Sequence, residues 1–246
     1  MRTFAAVSDI HGNFPALEAV ADDIARRRID TVVNLGDHVS GPLWPKETIQ
    51  FLMRQNWTQI AGNHDRQLIA GNPQSHGLSD AYAFKSMNNA EKDWLRRLPA
   101  NARLDPDVFL FHGTPLSDSD YLLESIEHGR TVLASRSEIG RRLGGTRSPV
   151  MLCGHTHVQR IVEFDENTIV VNPGSVGLPA YEDELPEPHV IESGSPHARY
   201  AVLRYDMQWT VELISVPYDS PRAAAQANKN NRPDWAIALQ TGYMKQ

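Results

Sequence analysis

The chain has 246 residues, of which 41% are hydrophobic and 22% charged, enough for one large α/β domain with a substantial core and too ordinary for long disorder. Its net charge of −6 argues against a large nucleic-acid surface or an anionic-membrane binder, while still admitting a small nucleotide or a phosphoprotein through one local positive site. The single cysteine, Cys153, excludes an intramolecular disulfide and reads as a small buried side chain.

Strand-like residues begin at Thr3, so no signal peptide is expected, and no apolar run approaches the roughly 18 residues of a membrane span. A cytoplasmic protein with no membrane partner is expected. After the first strand, 4–7, the positions Leu17, Val20, Ala21 and Ile24 fall at i, i+3, i+4 and i+7, one helical face. Pro15 suits the first turn of that helix and Asn13 its cap. The strand at 31–35 is apolar nearly throughout, as for a parallel strand covered on both faces. A loop with Gly41, Pro42 and Pro45 leads to a helix around 46–54 and a third strand at 57–61.

Residues 79–98 carry helical periodicity up to Pro99. Strands near 102–105 and 107–111 turn at Asp105-Pro106-Asp107, and helical segments are expected at about 120–143. Beyond a strand at 150–153, runs at 159–164, 168–172, 199–206 and 209–216 predict antiparallel hairpins forming a second sheet. Residues 179–198 hold four prolines and five acidic residues, predicting a long surface loop or lid that selects against highly anionic substrates. The alanine-rich tail from Pro221 predicts one or two docking helices. One sandwich-like α/β domain spanning 1–246 is the simplest organisation.

Five of these apolar runs stop at a residue that can bind a metal, usually with glycine beside it. The blocks are Asp9-Ile10-His11, Gly36-Asp37, Gly62-Asn63-His64-Asp65, His112-Gly113 and Gly154-His155-Thr156-His157. Open α/β sheets bind ligands in the crevice outside the carboxyl ends of their strands, so the blocks are expected to converge. Asp9, His11, Asp37, Asn63, His112, His155 and His157 form a carboxylate, amide and imidazole set without thiolate, suited to Mn, Fe, Zn, Co or Ni. Seven ligands exceed one tetrahedral site but fit two ions sharing a carboxylate. Two ions roughly 3.5–4 Å apart can clamp the attacking and leaving oxygens of an in-line displacement at phosphorus.

Taken in order, these blocks resemble the calcineurin-like metallophosphoesterase superfamily, over roughly residues 1–178 and including Asn172-Pro173-Gly174-Ser175-Val176-Gly177. The resemblance is closest to the small bacterial and archaeal YfcE-like phosphodiesterases. It implies two mixed β-sheets packed together with flanking helices in four layers, αββα. It also implies two divalent ions, manganese first, one on Asp9, His11 and His157 and the other on Asn63, His112 and His155, with Asp37 bridging. The nucleophile would be a hydroxide bridging the ions. His64 would protonate the leaving alkoxide, with Asp65 orienting its ring, on a small phosphodiester or phosphomonoester.

The stretch Gly36-Asp37-His38-Val39-Ser40-Gly41-Pro42 lacks the arginine of the protein Ser/Thr phosphatases, which weakens that reading. A dinucleoside polyphosphate hydrolase is a second alternative. A non-catalytic scaffold on this fold is a third, disfavoured because His64 is present. Asn13, Arg66 and His38 neighbour the blocks and are candidates for touching phosphate. Trp44 and Tyr121 are candidates for stacking at the rim, and Asn172, Gly174 and Ser175 for a turn behind the histidine pair.

Overall fold

The computed structural model describes residues 2–70 and 72–244. In the first sheet, β1 (Arg2–Val7), β2 (Val32–Asn34) and β3 (Thr58–Gln59) run parallel. The antiparallel hairpin of β13 (Ala198–Asp206) and β14 (Gln208–Val216) continues the sheet beyond β1. The second sheet repeats the plan. Its parallel centre is β5 (Val108–Phe111), β8 (Val150–Leu152) and β10 (Thr168–Asn172), edged antiparallel by β4 (Asn101–Asp105) and β9 (Arg160–Asp165).

Strand alternation makes the layers. Phe4 and Ala6 of the first sheet meet Val108, Leu110, Val150 and Leu152 of the second in one buried cluster. Ala5 and Val7 face the opposite way, onto Leu17, Val20 and Ile24 of α1 (Phe14–Arg26). Phe111, Met151 and Cys153 likewise cluster with Ile139 of α6 (Arg136–Arg142). The order is therefore helix, sheet, sheet, helix, and burying each large aliphatic side chain contributes about 1.5–3 kcal/mol. Asn13 caps α1 by accepting from Ala16 N at 3.3 Å, ahead of Pro15.

Four sequence expectations are corrected. The runs at 159–164, 168–172, 199–206 and 209–216 do not form a sheet of their own: β10 joins the parallel centre of the second sheet with β9 at its edge, and β13 and β14 extend the first. Tyr200 and Val202 are buried on one face of β13, Ala201 and Leu203 on the other, and only an interior strand is covered on both faces. Residues 120–143 are mostly not helical. They contain the hairpin of β6 (Glu124–Glu127) and β7 (Arg130–Leu133), whose turn residues His128 and Gly129 take φ of 54° and 71°, as a two-residue hairpin turn requires.

Residues 179–198 are not a long loop. They supply β11 (Ala180–Asp183) and β12 (His189–Glu192), which complete a third sheet ordered β11-β12-β7-β6. Pro186 and Pro188 lie in the connection and leave both strands their donors. The helix expected over 79–98 is two, α4 (Leu78–Ser86) and α5 (Asn89–Arg96). Asn88 restarts the chain with a capping box, accepting from Glu91 N while Glu91 accepts from Asn88 N.

Four α-helices remain among the described residues. α2 (Pro45–Leu52) and α3 (Asn63–Ala70) follow β2 and β3. α7 (Ser220–Lys229) and α8 (Pro233–Thr241) dock through buried alanines, Ala223, Ala224, Ala227 and Ala238, against Leu43 and Leu178. Among the described residues no helix is long and apolar enough to cross a membrane.

Candidate metal centre

Each of the five blocks follows a parallel strand at its carboxyl end: Asp9 and His11 after β1, Asp37 after β2, Asn63 after β3, His112 after β5, His155 and His157 after β8. The loops are laced together through the main chain. Asp9 N donates to Gly36 O, His11 N to Asp37 O, and Gly154 N to His112 O, at 2.7–3.0 Å. Asp9, His11, Asp37, His155 and His157 all have positive φ, between 50° and 70°. Such a backbone costs a non-glycine residue about 1–3 kcal/mol and persists where the surroundings over-determine it, typically at functional sites.

The backbone also selects the tautomers. Nδ1–H of His11 donates to Ser40 O (2.8 Å), that of His157 to Leu178 O (2.8 Å) and that of His112 to Leu35 O (2.7 Å). Each of these rings therefore presents an Nε2 lone pair. His155 is reversed, with Nε2–H donating to Ser119 O at 3.0 Å, so Nδ1 carries its lone pair. These partners do what carbonyls behind metal-ligating histidines do, fixing the tautomer and the ring plane.

The lone pairs converge. His11 Nε2 and His157 Nε2 are 3.1 Å apart, and His157 Nε2 lies 3.5 Å from Asp9 Oδ1, a buried atom without a hydrogen-bond partner. Asp9, His11 and His157 form one cluster able to hold a metal ion, and Asp37, His112 and His155 form another. Asp37 Oδ2 lies 3.3 Å from His112 Nε2 and 3.9 Å from His11 Nε2, between the two, and Asn63 Oδ1 is 3.0 Å from His112 Nε2. Facing lone pairs repel unless a cation or proton is shared, so this donor set fits two divalent ions.

Without a metal, protons carry part of that load. Burial lowers His112, but the charges of Asp37 and Asp9 outweigh it and raise its pKa to about 10. Burial raises Asp9, and the histidine charges, His157 first, more than reverse this, leaving it at about 2. His11 and His155 are pushed down to about 4, chiefly by burial.

Gly62 and Gly154 are required by close approach. A Cβ on Gly62 would lie 2.2 Å from Asp37 Oδ1, and one on Gly154 2.1 Å from Ser8 Oγ and 3.0 Å from Asp9 Oδ2. Behind the histidine pair, Asn172 donates to Gly154 O (2.7 Å) and Ser175 Oγ to Asp9 O (2.7 Å). The residues expected to form a structural turn there are thus tied to the centre.

His64 stands beside the clusters with 37% of its side chain exposed, and Nδ1 lies 3.3 Å from Asp80 Oδ1. Partial burial works against its charged form, but the Asp37 charge and the Asp80 hydrogen bond prevail, holding its pKa at about 9. Ser40 joins the two features, since its carbonyl holds His11 and its hydroxyl donates to Asp80 at 2.5 Å.

Asp65 does not orient His64, contrary to the sequence expectation. Its buried carboxylate accepts from Gly62 N, Asp37 N, His38 N and His38 Nδ1 at 2.7–3.1 Å. Successive residues of a helix do not face each other, and here α3 turns Asp65 into the loop that shapes Asp37. Asp80, on α4, went unnoticed because no spacing links it to the motifs. Trp235 of α8, whose ring centroid is 6.1 Å from that of His11, and Tyr181 of β11, 4.7 Å from that of His157, were missed for the same reason.

The other neighbours are committed elsewhere. His38 is fully buried, neither solvated nor at the surface of the centre. Asn13 donates to Gly177 O and Tyr218 Oη. Arg66 is clamped bidentate on Asp118 at 2.6 and 2.8 Å, and Trp44 packs against the C-terminal helices under Arg222.

Two hollows open at the centre. One, of about 270 Å3, lies over the first cluster and is bounded by Tyr181 and Trp235. The other is a cleft of about 800 Å3 running toward Tyr121 and the third sheet. Asn63, His64, His155 and Asp183 line both.

The arrangement has known relatives. The calcineurin-like phosphoesterase superfamily domain matches residues 1–191, and the chain belongs to that family. An uncharacterized protein of Methanocaldococcus jannaschii is 24% identical over 246 residues, covering 94% of each chain. A metallophosphoesterase from Sphaerobacter thermophilus shares the fold with a TM-score of 0.74 at 23% identity, covering 97% of this chain and 98% of that one. A hypothetical protein from Pyrococcus horikoshii does so with a TM-score of 0.76 at 20% identity and full coverage of both.

Proposed function

We propose that the protein is a dinuclear metal-dependent phosphoesterase that hydrolyses a small phosphate ester. Asp9, His11 and His157 would hold one ion, Asn63, His112 and His155 the other, and Asp37 both. Oxygen and imidazole donors suit manganese and also admit iron, zinc, cobalt or nickel. When bound, the ion pair supplies Lewis acidity toward a phosphoryl oxygen and lowers the pKa of a water.

The chain's own groups do the rest. His64, charged at neutral pH, donates a proton to the departing alkoxide as its bond to phosphorus breaks. Asp80 accepts from Nδ1 and so directs the other nitrogen to that task. General acid catalysis of this kind is worth roughly 10²–10⁴-fold. The observation that carries the reading is the convergence of backbone-fixed imidazole lone pairs, 3.1 Å apart at His11 and His157, on two buried carboxylates.

The test is hydrolysis by the manganese-loaded protein of bis(p-nitrophenyl) phosphate and of phosphate esters with an alkoxide leaving group. His64→Ala should lower kcat on the alkoxide esters by roughly 10²–10⁴-fold with both ions retained. Unchanged turnover in that variant would remove the acid from the scheme. An inactive metal-replete wild type would remove the enzymatic reading.

A further inference from the structure

The four histidines of the two clusters are not held alike. His11, His112 and His157 each give Nδ1–H to the carbonyl of a buried residue, Ser40, Leu35 or Leu178. His155 gives Nε2–H to Ser119 O at 3.0 Å, and Ser119 is an exposed residue of the loop between β5 and β6. A carbonyl behind a ligating imidazole sets its ring plane and tautomer only as firmly as the carbonyl is itself held. The exposed loop therefore needs a holder.

The ends of that loop are buried and tied. A Cβ on Gly113 would lie 2.7 Å from both Ser117 O and Asp120 O, so the chain folds back directly over this glycine. Thr114 N donates to Ser117 O (2.6 Å), and Thr114 Oγ1 accepts from Ser117 N (3.0 Å). At the other end the Tyr121 ring packs against that of His155, centroids 5.1 Å apart. Nδ1–H of His189 donates to Glu187 O, so its Nε2 accepts from Tyr121 Oη at 2.9 Å. Between these anchors, Ser119 and Asp120 are exposed and lie in neither helix nor strand.

Arg66 holds the middle. It stands three residues after Asn63 on α3, so both lie on one face of the helix. Its Nε and Nη2 donate to the two oxygens of Asp118 at 2.6 and 2.8 Å. Nη2 also reaches Ser119 Oγ at 3.3 Å, and that hydroxyl donates to Asp118 at 2.9 Å. Among the described residues, the hydrogen bonds that Asp118 and Ser119 make outside their own loop go to Arg66 and His155. A half-exposed ion pair is worth little unless it is bidentate or part of a network, and this one is both.

We infer that Arg66 is a positioning residue for the ion on Asn63, His112 and His155. By clamping Asp118 and Ser119 it fixes the carbonyl that orients His155, whose Nδ1 lone pair is thereby kept for the cluster with Asp37 and His112. This rests on the dinuclear reading above. Charge alone predicts the opposite sign for the loss of Arg66. A guanidinium beside two divalent cations repels them, so its removal should tighten binding, whereas loss of the clamp loosens it.

Manganese is titrated calorimetrically into the chelator-treated full chain, as wild type and as Arg66→Met, a change at an exposed position. Two-bond proton–nitrogen NMR reads the His155 tautomer of each chain without metal. In Arg66→Met the ion that His112→Ala abolishes should bind about tenfold more weakly, the low end of what losing an outer hydrogen bond to a ligand costs, while the other ion changes by less than about twofold. Wild-type His155 should carry its proton on Nε2, and Arg66→Met should show a mixture with the Nδ1–H form. Unchanged or tighter binding of that ion, or an unaltered tautomer, overturns the inference while leaving the dinuclear centre intact. A wild type that binds no manganese removes the dinuclear reading instead, and the tautomer then decides the clamp alone. A mixture in Arg66→Met supports it, and the same form in both chains overturns it.

Discussion

Nε2 of His11 lies 3.1 Å from Nε2 of His157, while each ring gives its Nδ1 proton to a main-chain carbonyl, Ser40 O or Leu178 O. Neither ring can turn away without leaving a buried carbonyl unsatisfied, at a cost of about 1–3 kcal/mol. The repulsion is therefore built into the metal-free protein, and a divalent ion relieves it.

Metal binding should accordingly stabilise the fold. A ligand at a hundred times its Kd contributes about 2.7 kcal/mol, and a chain of this size shifts by roughly 2–4 °C per kcal/mol. Thermal scans of chelator-treated protein, before and after manganese, should differ by about 5–11 °C. Coincident midpoints would count against ion binding at this centre.

Gly62→Ala should disable the centre without altering any candidate ligand. The added methyl would sit 2.2 Å from Asp37 Oδ1 and 2.7 Å from Asp37 N, forcing the shared carboxylate aside. Misplacement of about 1 Å near the chemistry costs on the order of 10²-fold. Activity should fall by at least that much, with reduced metal content by elemental analysis. A variant with full metal content and activity would show that Asp37 is not held as described.

Asp80→Asn should move the pH profile. Without metal, the Asp37 charge and the Asp80 hydrogen bond hold His64 at about 9 against partial burial; of these two only Asp80 is not a candidate metal ligand, and a histidine can act as an acid only below its pKa. Losing Asp80 lowers that pKa, so the alkaline limb of kcat should shift to lower pH. The limb would stay in place if Asp80 served the fold alone.

The strand-end blocks were legible because each motif is local: strand, glycine and ligand are contiguous, and the sheet itself brings the ends together. The four layers follow from the same alternation, with Phe4 and Ala6 on one face of β1 and Ala5 and Val7 on the other. What stayed hidden depends on contacts between distant segments. Asp80 meets His64 only because α4 folds over α3, whereas Asp65 is adjacent in sequence and turned away by the helix.

The third sheet was hidden for another reason. Its strands are four residues each, and β6 and β7 hold only one and two apolar residues, Ile126 and Val132-Leu133. The acidic, proline-bearing connection at 184–188 outweighed the short strands on either side. That sheet lines part of the cleft, so one wall of the cleft is the part with the weakest sequence pattern.

Elemental analysis of the purified chain after manganese loading and removal of free ion measures the central claim directly. Two ions per chain are expected in the wild type and in His64→Ala, with one lost on His11→Ala or His112→Ala. One ion or none per wild-type chain, or two ions that persist in both ligand variants, would contradict a dinuclear centre built on Asp9, His11, Asp37, Asn63, His112, His155 and His157.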